Sequence, residues 1–346
     1  MRTLITGGAG FIGTNAAEYF ISQGDEVIVY DNLSRKGSDL NLNYLQKKYP
    51  DQITFEEGDI SKEKDFSEKL LPSIKKSDRV LHLAGQVAVT TSIDNPEMDF
   101  RNNALGTFYV LEALRKSNKE IPLIFSSTNK VYGELEGTLK FKEGETRYTE
   151  TKFPEGIPEN VGVDFHSPYG CSKGSADQYV RDYSRTFGLD TIVFRQSCIY
   201  GPRQMGVEDQ GWVAWFTIAS ALDKPITFFG DGKQVRDLLH VNDLVKAYDL
   251  AFKNIETTRG KIYNIGGGPT HAMSLIEVME RLSELKETEI PVSYGDWREG
   301  DQKVCIMDIT KAKKELGWSP RIDPNSGIGE LWNWVEENKE MLEKIF

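Results

Sequence analysis

Three residues have the types that acid–base work on a hydroxyl requires: Thr128 in SSTNKVYG (126–133), and Tyr169 with Lys173 in DFHSPYGCSKG (164–174). A Tyr-x-x-x-Lys pair puts both side chains on one helix face, where an ammonium beneath a phenol lowers the phenol pKa toward that of a useful base. Chance alone supplies about one such spacing in a chain of this composition, and the sequence contains three: Tyr44/Lys48, Tyr148/Lys152 and Tyr169/Lys173. Context separates them. Tyr148/Lys152 lies among threonines and a proline that disfavour a helix, and Tyr44/Lys48 sits in a polar segment that reads as a solvated face. Tyr169/Lys173 follows Pro168, a helix-start signal, and small neighbours (Gly170, Cys171, Ser172, Gly174) leave room for a ligand. Asn129 and Lys130 follow Thr128, so the strand end offers a hydroxyl but no carboxyl pair for eliminating water from an oxidised sugar.

A redox partner for such a site is written into GGAGFIG (7–13), where Gly7, Gly10 and Gly13 follow a strand and open a helix. Glycine there gives the tight turn, the close approach to a pyrophosphate and the close helix–strand packing, with the pyrophosphate on the positive helix end. Asp31 closes the second strand, where a carboxylate takes the ribose hydroxyls and repels a 2′-phosphate, which favours NAD. Arg35 and Lys36, just beyond, are the residues that would welcome NADP. The cofactor set expected is Gly7, Gly10, Phe11, Ile12, Gly13, Asp31, Asn32, Ser34, Arg35, Asp59, Ile60, Leu83, Ala84, Gly85 and Asn103, with Tyr169 and Lys173 at the nicotinamide end.

The elements that position these residues alternate. Apolar strands are expected at 2–7, 25–31, 52–59, 79–85, 122–128 and 190–197, with helical segments between them, which predicts βαβ units and a Rossmann-type doubly wound parallel sheet covered on both faces. Beyond 197 the pattern loosens into turn-rich loops and outlying helices. DLLHVNDLVKAYDLAF (237–252) reads as one more strand and helix returning to the first domain. The division expected is a cofactor domain of 1–197 with 237–260 and a smaller intertwined substrate domain of 198–236 with 261–346.

Bulk properties exclude several classes. At 346 residues with 27% charged residues and a net charge of -11, the chain is a poor general nucleic-acid binder. Cys171, Cys198 and Cys305 lack CxxC spacing, and the four histidines lack metal-ligand spacing, so no metal is expected and a reducing compartment is. The longest apolar-leaning run, 212–222, is too short to cross a bilayer. A soluble, cytoplasmic protein is the expectation. Trp212, Trp215 and Phe216 are read as either an apolar wall for a sugar or core, and His166 as structural.

GGAGFIG, the Tyr169/Lys173 pair, SST, YGPRQ (200–204), RDLLHVND (236–243) and WREGD (297–301) together resemble the extended short-chain dehydrogenase/reductase family of nucleotide-sugar enzymes over essentially the whole chain. SSTNKVYG, DFHSPYGCSKG and 194–216 are most similar to the branch that epimerises a CDP-linked deoxyhexose at C2. The resemblance implies a tightly held NAD, regenerated each turnover, a nucleotide-sugar substrate, and a homodimer or homotetramer built on helices around 98–116 and 167–187. It assigns catalysis to Thr128, Tyr169 and Lys173. It assigns phosphate and ribose contacts to Arg236, Arg298 and Asp301. Gln86, Thr128, Asn129 and Arg203 complete the expected substrate set. Dehydratases of the family carry Asp-Glu where this chain has Asn129 and Lys130, and UDP-galactose 4-epimerases carry an asparagine where it has Cys198. The other readings are an epimerase acting at C4 or on a UDP or GDP sugar, a dehydratase, and a catalytically silent NAD-binding protein.

Overall fold

The computed structural model describes residues 1–135, 139–298 and 301–346. Its central sheet has seven parallel strands in the order Ile262–Ile265, Thr191–Gln196, Leu123–Thr128, Arg79–His82, Arg2–Thr6, Glu26–Asp31, Ile53–Glu57. Strand order reverses between Arg79–His82 and Arg2–Thr6, and open α/β sheets bind ligands at the carboxyl edge of such a switch point. The Gly7–Gly13 loop opens there, and Thr128 ends the strand that flanks Arg79–His82.

Alternate residues of each strand bury on opposite faces. Ile5, Val29, Ile124 and Phe194 pack with Phe20 of helix Phe11–Ser22 and Val245 of helix Val241–Lys253. Leu4, Tyr30, Phe125 and Val193 pack on the other face with Val110 and Leu114 of helix Gly106–Ser117. Each fully buried aliphatic or aromatic side chain contributes about 1.5–3 kcal/mol, so this double-sided core makes the sheet the rigid part on which the site stands.

One expectation is corrected. The strand near 237 does not return to the first sheet: Val235–His240 pairs with Cys198–Tyr200, Ala272–Ser274 and Val304–Cys305 in a separate four-stranded sheet. Leu239 of this strand and the following helix, Val241–Lys253, do pack into the first core. The seventh strand of the main sheet is instead Ile262–Ile265, paired in parallel with Thr191–Gln196. Helices Trp212–Ala221, Leu275–Lys286 and Pro324–Glu337 enclose a second core.

Behind the catalytic strand lies a buried ion pair. Arg195 donates to both carboxylate oxygens of Asp177 at 2.9 and 3.0 Å, with 2% and 0% of the two side chains exposed. Ser127 donates to Asp177 at 2.8 Å, Arg195 to the Tyr132 hydroxyl at 3.1 Å, and Tyr132 to Asn264 at 2.7 Å. Removing one partner leaves a desolvated charge, so Arg195→Leu alone is expected to destabilise the protein by about 3–5 kcal/mol, with far less further loss when Asp177→Leu is added. Denaturation midpoints of the single and double variants check this; additive losses would contradict it.

Candidate active site

Helix Ser167–Phe187 opens with Ser167 at φ +65° and Pro168, and carries Tyr169 and Lys173 in its first two turns. Ser92 Oγ accepts the Tyr169 amide N–H at 3.1 Å, fixing the helix start. The Tyr169 phenol is hydrogen-bonded to the Thr128 hydroxyl, which also accepts the Lys130 amide N–H at 3.2 Å. Lys173 Nζ donates to the Ser126 carbonyl at 2.5 Å and lies 4.2 Å from the Phe125 ring centroid. The three residues of the sequence reading are thus brought together at one sheet edge.

Their electrostatics differ from the simple expectation. Burial pushes the Tyr169 phenol up to about 12, against the Thr128 hydrogen bond and with the Asp99 charge adding to the rise. Burial pushes Lys173 down to about 7, against the charges of Asp177 and Asp99. In the protein alone Lys173 does not bring the phenol into a useful range, because desolvation outweighs it and its ammonium is spent on a carbonyl.

Two adjoining cavities meet at this point. The smaller, of about 210 Å³, is lined by Gly7, Gly10, Phe11, Ile12, Gly13, Asp31, Asn32, Ser34, Arg35, Asp59, Ile60, Leu83, Ala84 and Gly85. Its floor is sterically bound to glycine: Gly7 has φ +70°, and a Cβ on Gly13 would lie 2.3 Å from the Gly7 carbonyl oxygen. The Asp31 carboxylate accepts one amide on each oxygen, Ala9 at 3.0 Å and Leu33 at 2.8 Å; burial raises its pKa against those bonds. Tyr30 and Asn41, which also line the cavity, each carry a buried oxygen with no hydrogen-bond partner among the described residues. A helix N-terminus, a ribose-type carboxylate and spare polar atoms fit a dinucleotide. Arg35 and Lys36 also border this cavity, Arg35 bonding Gln210 across it and Lys36 lying 5.0 Å from the Phe346 ring centroid.

The larger cavity, of about 780 Å³, is lined by Thr128, Asn129, Lys130, Tyr169, Lys173, Cys198, Arg236, Arg298 and Asp301, with Trp212 and Phe216 as its apolar wall. Arg236 donates to Asp301 at 2.6 Å and to its neighbour's carbonyl, Val235 O, at 2.8 Å. Arg298 pairs with Asp209 at 2.9 Å and lies 4.0 Å from the Phe229 ring centroid. Both arginines are therefore held extended by carboxylates. Asn129 donates to the Cys305 thiol at 3.2 Å. Lys130 is half-buried at the cavity wall, and desolvation and then the Arg236 charge lower its pKa. His166 lines the same cavity, 3.4 Å from Glu134.

Four expectations fall elsewhere. Arg203 lines the smaller cavity, its guanidinium 3.0 Å from the Tyr44 ring centroid, rather than the larger one. Gln86 lines neither cavity and donates to the Ala88 carbonyl at 2.6 Å. Asn103 stands one layer behind, donating to Asp99 at 2.9 Å and Ser172 at 3.1 Å. Trp215 packs near Phe346, 6.1 Å between centroids, and not against the sugar cavity. Of WREGD, residues 299–300 lie outside the described residues. Gln204 and Gln210, which line both cavities, and Asp99 were not anticipated; only Gln204, inside YGPRQ, carried a sequence signal. Among the described residues no group of three or more His, Cys, Asp or Glu side chains is placed to hold a metal ion, and no helix is long and apolar enough to cross a membrane.

A doubly wound sheet with a glycine-floored dinucleotide cleft, opening beside a buried Thr–Tyr–Lys set and an arginine-lined cavity, defines an oxidoreductase-type fold acting on a phosphate-bearing ligand. The family model described as GDP-mannose 4,6 dehydratase matches residues 4–331, and the chain belongs to this family of extended short-chain dehydrogenases/reductases. It is 46% identical to CDP-paratose 2-epimerase of Salmonella typhi over 340 residues, 97% of this chain and 99% of the relative. The crystal structure of UDP-glucose 4-epimerase with UDP-glucose from Thermotoga maritima superposes with a TM-score of 0.82 at 32% identity, covering 98% of this chain and 100% of that one. The dTDP-glucose 4,6-dehydratase of Streptomyces venezuelae, solved with NAD bound, gives 0.84 at 26% identity, with full coverage of both chains (100% each).

Gly13→Ala tests the floor of the smaller cavity. Because the added methyl meets backbone, the purified variant is expected to lose most co-purifying dinucleotide, measured by release and chromatography. Retention at the wild-type level would show that the loop yields.

Proposed function

We propose that the chain is an NAD-dependent nucleotide-sugar epimerase that inverts C2 of a CDP-linked deoxyhexose, converting CDP-paratose to CDP-tyvelose. The observation that carries this reading is the larger cavity itself: Thr128 and Tyr169 reach it together, while Asn129 and Lys130 occupy the positions next in the chain. A hydroxyl can be oxidised there, yet those two positions supply no carboxyl acid or base for eliminating a neighbouring hydroxyl. The 46% identity to a relative named for this reaction supports the choice of carbon and nucleotide.

The C–H beside a sugar hydroxyl is not acidic, so inversion proceeds through a ketone at that carbon. NAD held by the Gly7–Gly13 loop and Asp31 would supply the hydride acceptor and donor. Tyr169 takes the hydroxyl proton and returns it, Thr128 holds the reacting oxygen, and Lys173 orients the cofactor ribose. Arg236 and Arg298 exchange their carboxylate partners for the pyrophosphate, and Trp212 and Phe216 cover the deoxygenated sugar. Asp31, whose carboxylate lies in the smaller cavity, supports NAD over NADP. Free Cys171, Cys198 and Cys305 support a reducing, cytoplasmic setting.

Proton NMR of CDP-paratose in D₂O with purified protein and no added cofactor tests the reaction. CDP-tyvelose is expected to accumulate without deuterium at C2, and the Tyr169→Phe protein to retain NAD without turning over. Deuterium at C2 would overturn the hydride route; inert CDP-paratose with NAD present would overturn the substrate.

The protein is further read as a homodimer. Phe108 of helix Gly106–Ser117 and Tyr179 of helix Ser167–Phe187 meet edge-on at 6.3 Å between centroids, and with Phe100 and Phe187 they form an exposed aromatic strip, Tyr179 and Phe187 being 52% and 49% exposed. An apolar strip of this kind suits a second copy. Tyr179→Asp is expected to shift the sedimenting species toward monomer, and an unchanged species would place the interface elsewhere.

A further inference from the structure

The catalytic helix faces a carboxylate that the reaction above leaves unused. Asp99, at the end of helix Pro96–Phe100, is fully buried. It accepts Ser172 Oγ at 2.5 Å and Asn103 Nδ2 at 2.9 Å, and Asn103 also donates to Ser172 at 3.1 Å. Asn103 lies in Arg101–Leu105, a single wide π-turn of the kind that re-aims side chains at functional sites. Its Oδ1 is buried without a hydrogen-bond partner among the described residues and lies 2.6 Å from where a Cβ on Gly85 would stand, so it faces the loop that borders both cavities. The triangle of Asp99, Asn103 and Ser172 therefore packs the Tyr169–Lys173 turn against the Gly85 loop, with Asn103 between them.

Charge accounting sets Asp99 apart. Lys173 is faced on its own helix by Tyr169 and Asp177, from the Arg79–His82 strand by His82, from the Leu123–Thr128 strand by the Ser126 carbonyl, and from helix Pro96–Phe100 by Asp99. Asp177 exerts the larger attraction on Lys173, but it is already neutralised by the two bonds from Arg195. His82 is bound by Thr6 and Thr107, and burial, then the Lys173 charge, press its pKa down to about 3, so it stays neutral. Among the described residues no ion pair within 4.0 Å engages Asp99. Asp99 is thus the carboxylate beside the catalytic turn that no guanidinium or ammonium pairs; burial raises its pKa, and the Ser172 bond, the Lys173 charge and the Asn103 bond pull against that rise.

We propose that Asp99 is the counter-charge that keeps Lys173 an ammonium, and a positioning residue that fixes the catalytic turn against the Gly85 loop through Ser172 and Asn103. The proposal rests on the assignment of Lys173 to catalysis. It adds a cost to the same device: Asp99 also opposes ionisation of Tyr169, so its placement trades phenol acidity for lysine charge.

The sign follows directly. Asp99 stabilises the charged lysine, so removing the carboxylate lets neutral lysine take over at lower pH, and any step requiring the ammonium fails earlier as pH rises. The experiment uses the NAD-loaded protein labelled with [ε-¹³C]lysine, the Lys173 resonance being assigned by its loss in Lys173→Arg. Asp99→Asn is expected to lower the Lys173 titration midpoint by about one pH unit or more. The alkaline limb of kcat should move the same way, activity recovering toward the wild-type value at lower pH. An unchanged midpoint overturns the proposal even if activity falls, because that result describes a packing role alone. If Asp99→Asn does not fold, Ser172→Ala is read instead: a smaller shift in the same direction supports the proposal and no shift overturns it. Failure of the wild type to act on CDP-paratose would sink the substrate reading, while the titration still decides the role of Asp99.

Discussion

The Arg195–Asp177 pair is the constraint on which the site depends. Asp177 lies one turn beyond Lys173 on the catalytic helix, Arg195 lies on the neighbouring strand, and the pair also holds Ser127, next to Thr128, and Tyr132, at the end of the turn after it. Tyr132 in turn holds Asn264 of the seventh strand. A hydrophobic pair of similar volume would fill the space and cost less desolvation, but it would not fix the rotation of the helix against the strand. The ion pair converts that rotation into a defined geometry, and the distance between Tyr169 and Thr128 follows from it.

Charge is handled locally in a chain whose total is strongly negative. Arg236 and Arg298 are not loose surface arms: each is paired with a carboxylate at the cavity wall and supported by a backbone carbonyl or a ring. Pairing lowers the cost of burying a guanidinium and leaves it aimed inward. Under the proposed function, a diphosphate would compete with Asp301 and Asp209 rather than fill a bare positive hole, which would favour ligands that bring two charges over those that bring one.

The parts legible in the sequence are those fixed by sterics or by local spacing. The glycine floor is readable because only glycine fits at Gly7 and Gly13, and the Tyr169/Lys173 pair because Pro168 marks a helix start. Five of the six earlier strands are readable because burial on both faces demands continuous apolar residues; the edge strand Ile53–Glu57 is only partly buried. The strand Val235–His240 has the same buried character, and no local pattern says which sheet a buried strand joins. Ile262–Ile265, only four residues long, gives too little pattern to stand out. Arg203 reads as a phosphate arm from its charge and its loop, whereas its stacking on Tyr44 is a tertiary fact. Asp99 and the Ser126 carbonyl act at Lys173 from other elements, so spacing around Lys173 could not point to them.

The late entry of Ile262–Ile265 bears on how the polypeptide is made. During synthesis the chain passes through the second sheet at Val235–His240 before the strand that covers the Thr191–Gln196 edge exists. Until that strand arrives, a buried-type, apolar edge with unpaired amides and carbonyls is open to any other extended chain. The nascent protein thus passes through an interval in which its first lobe is nearly complete but sticky. A fragment cut at the apparent lobe boundary near 260 would remain in that state permanently.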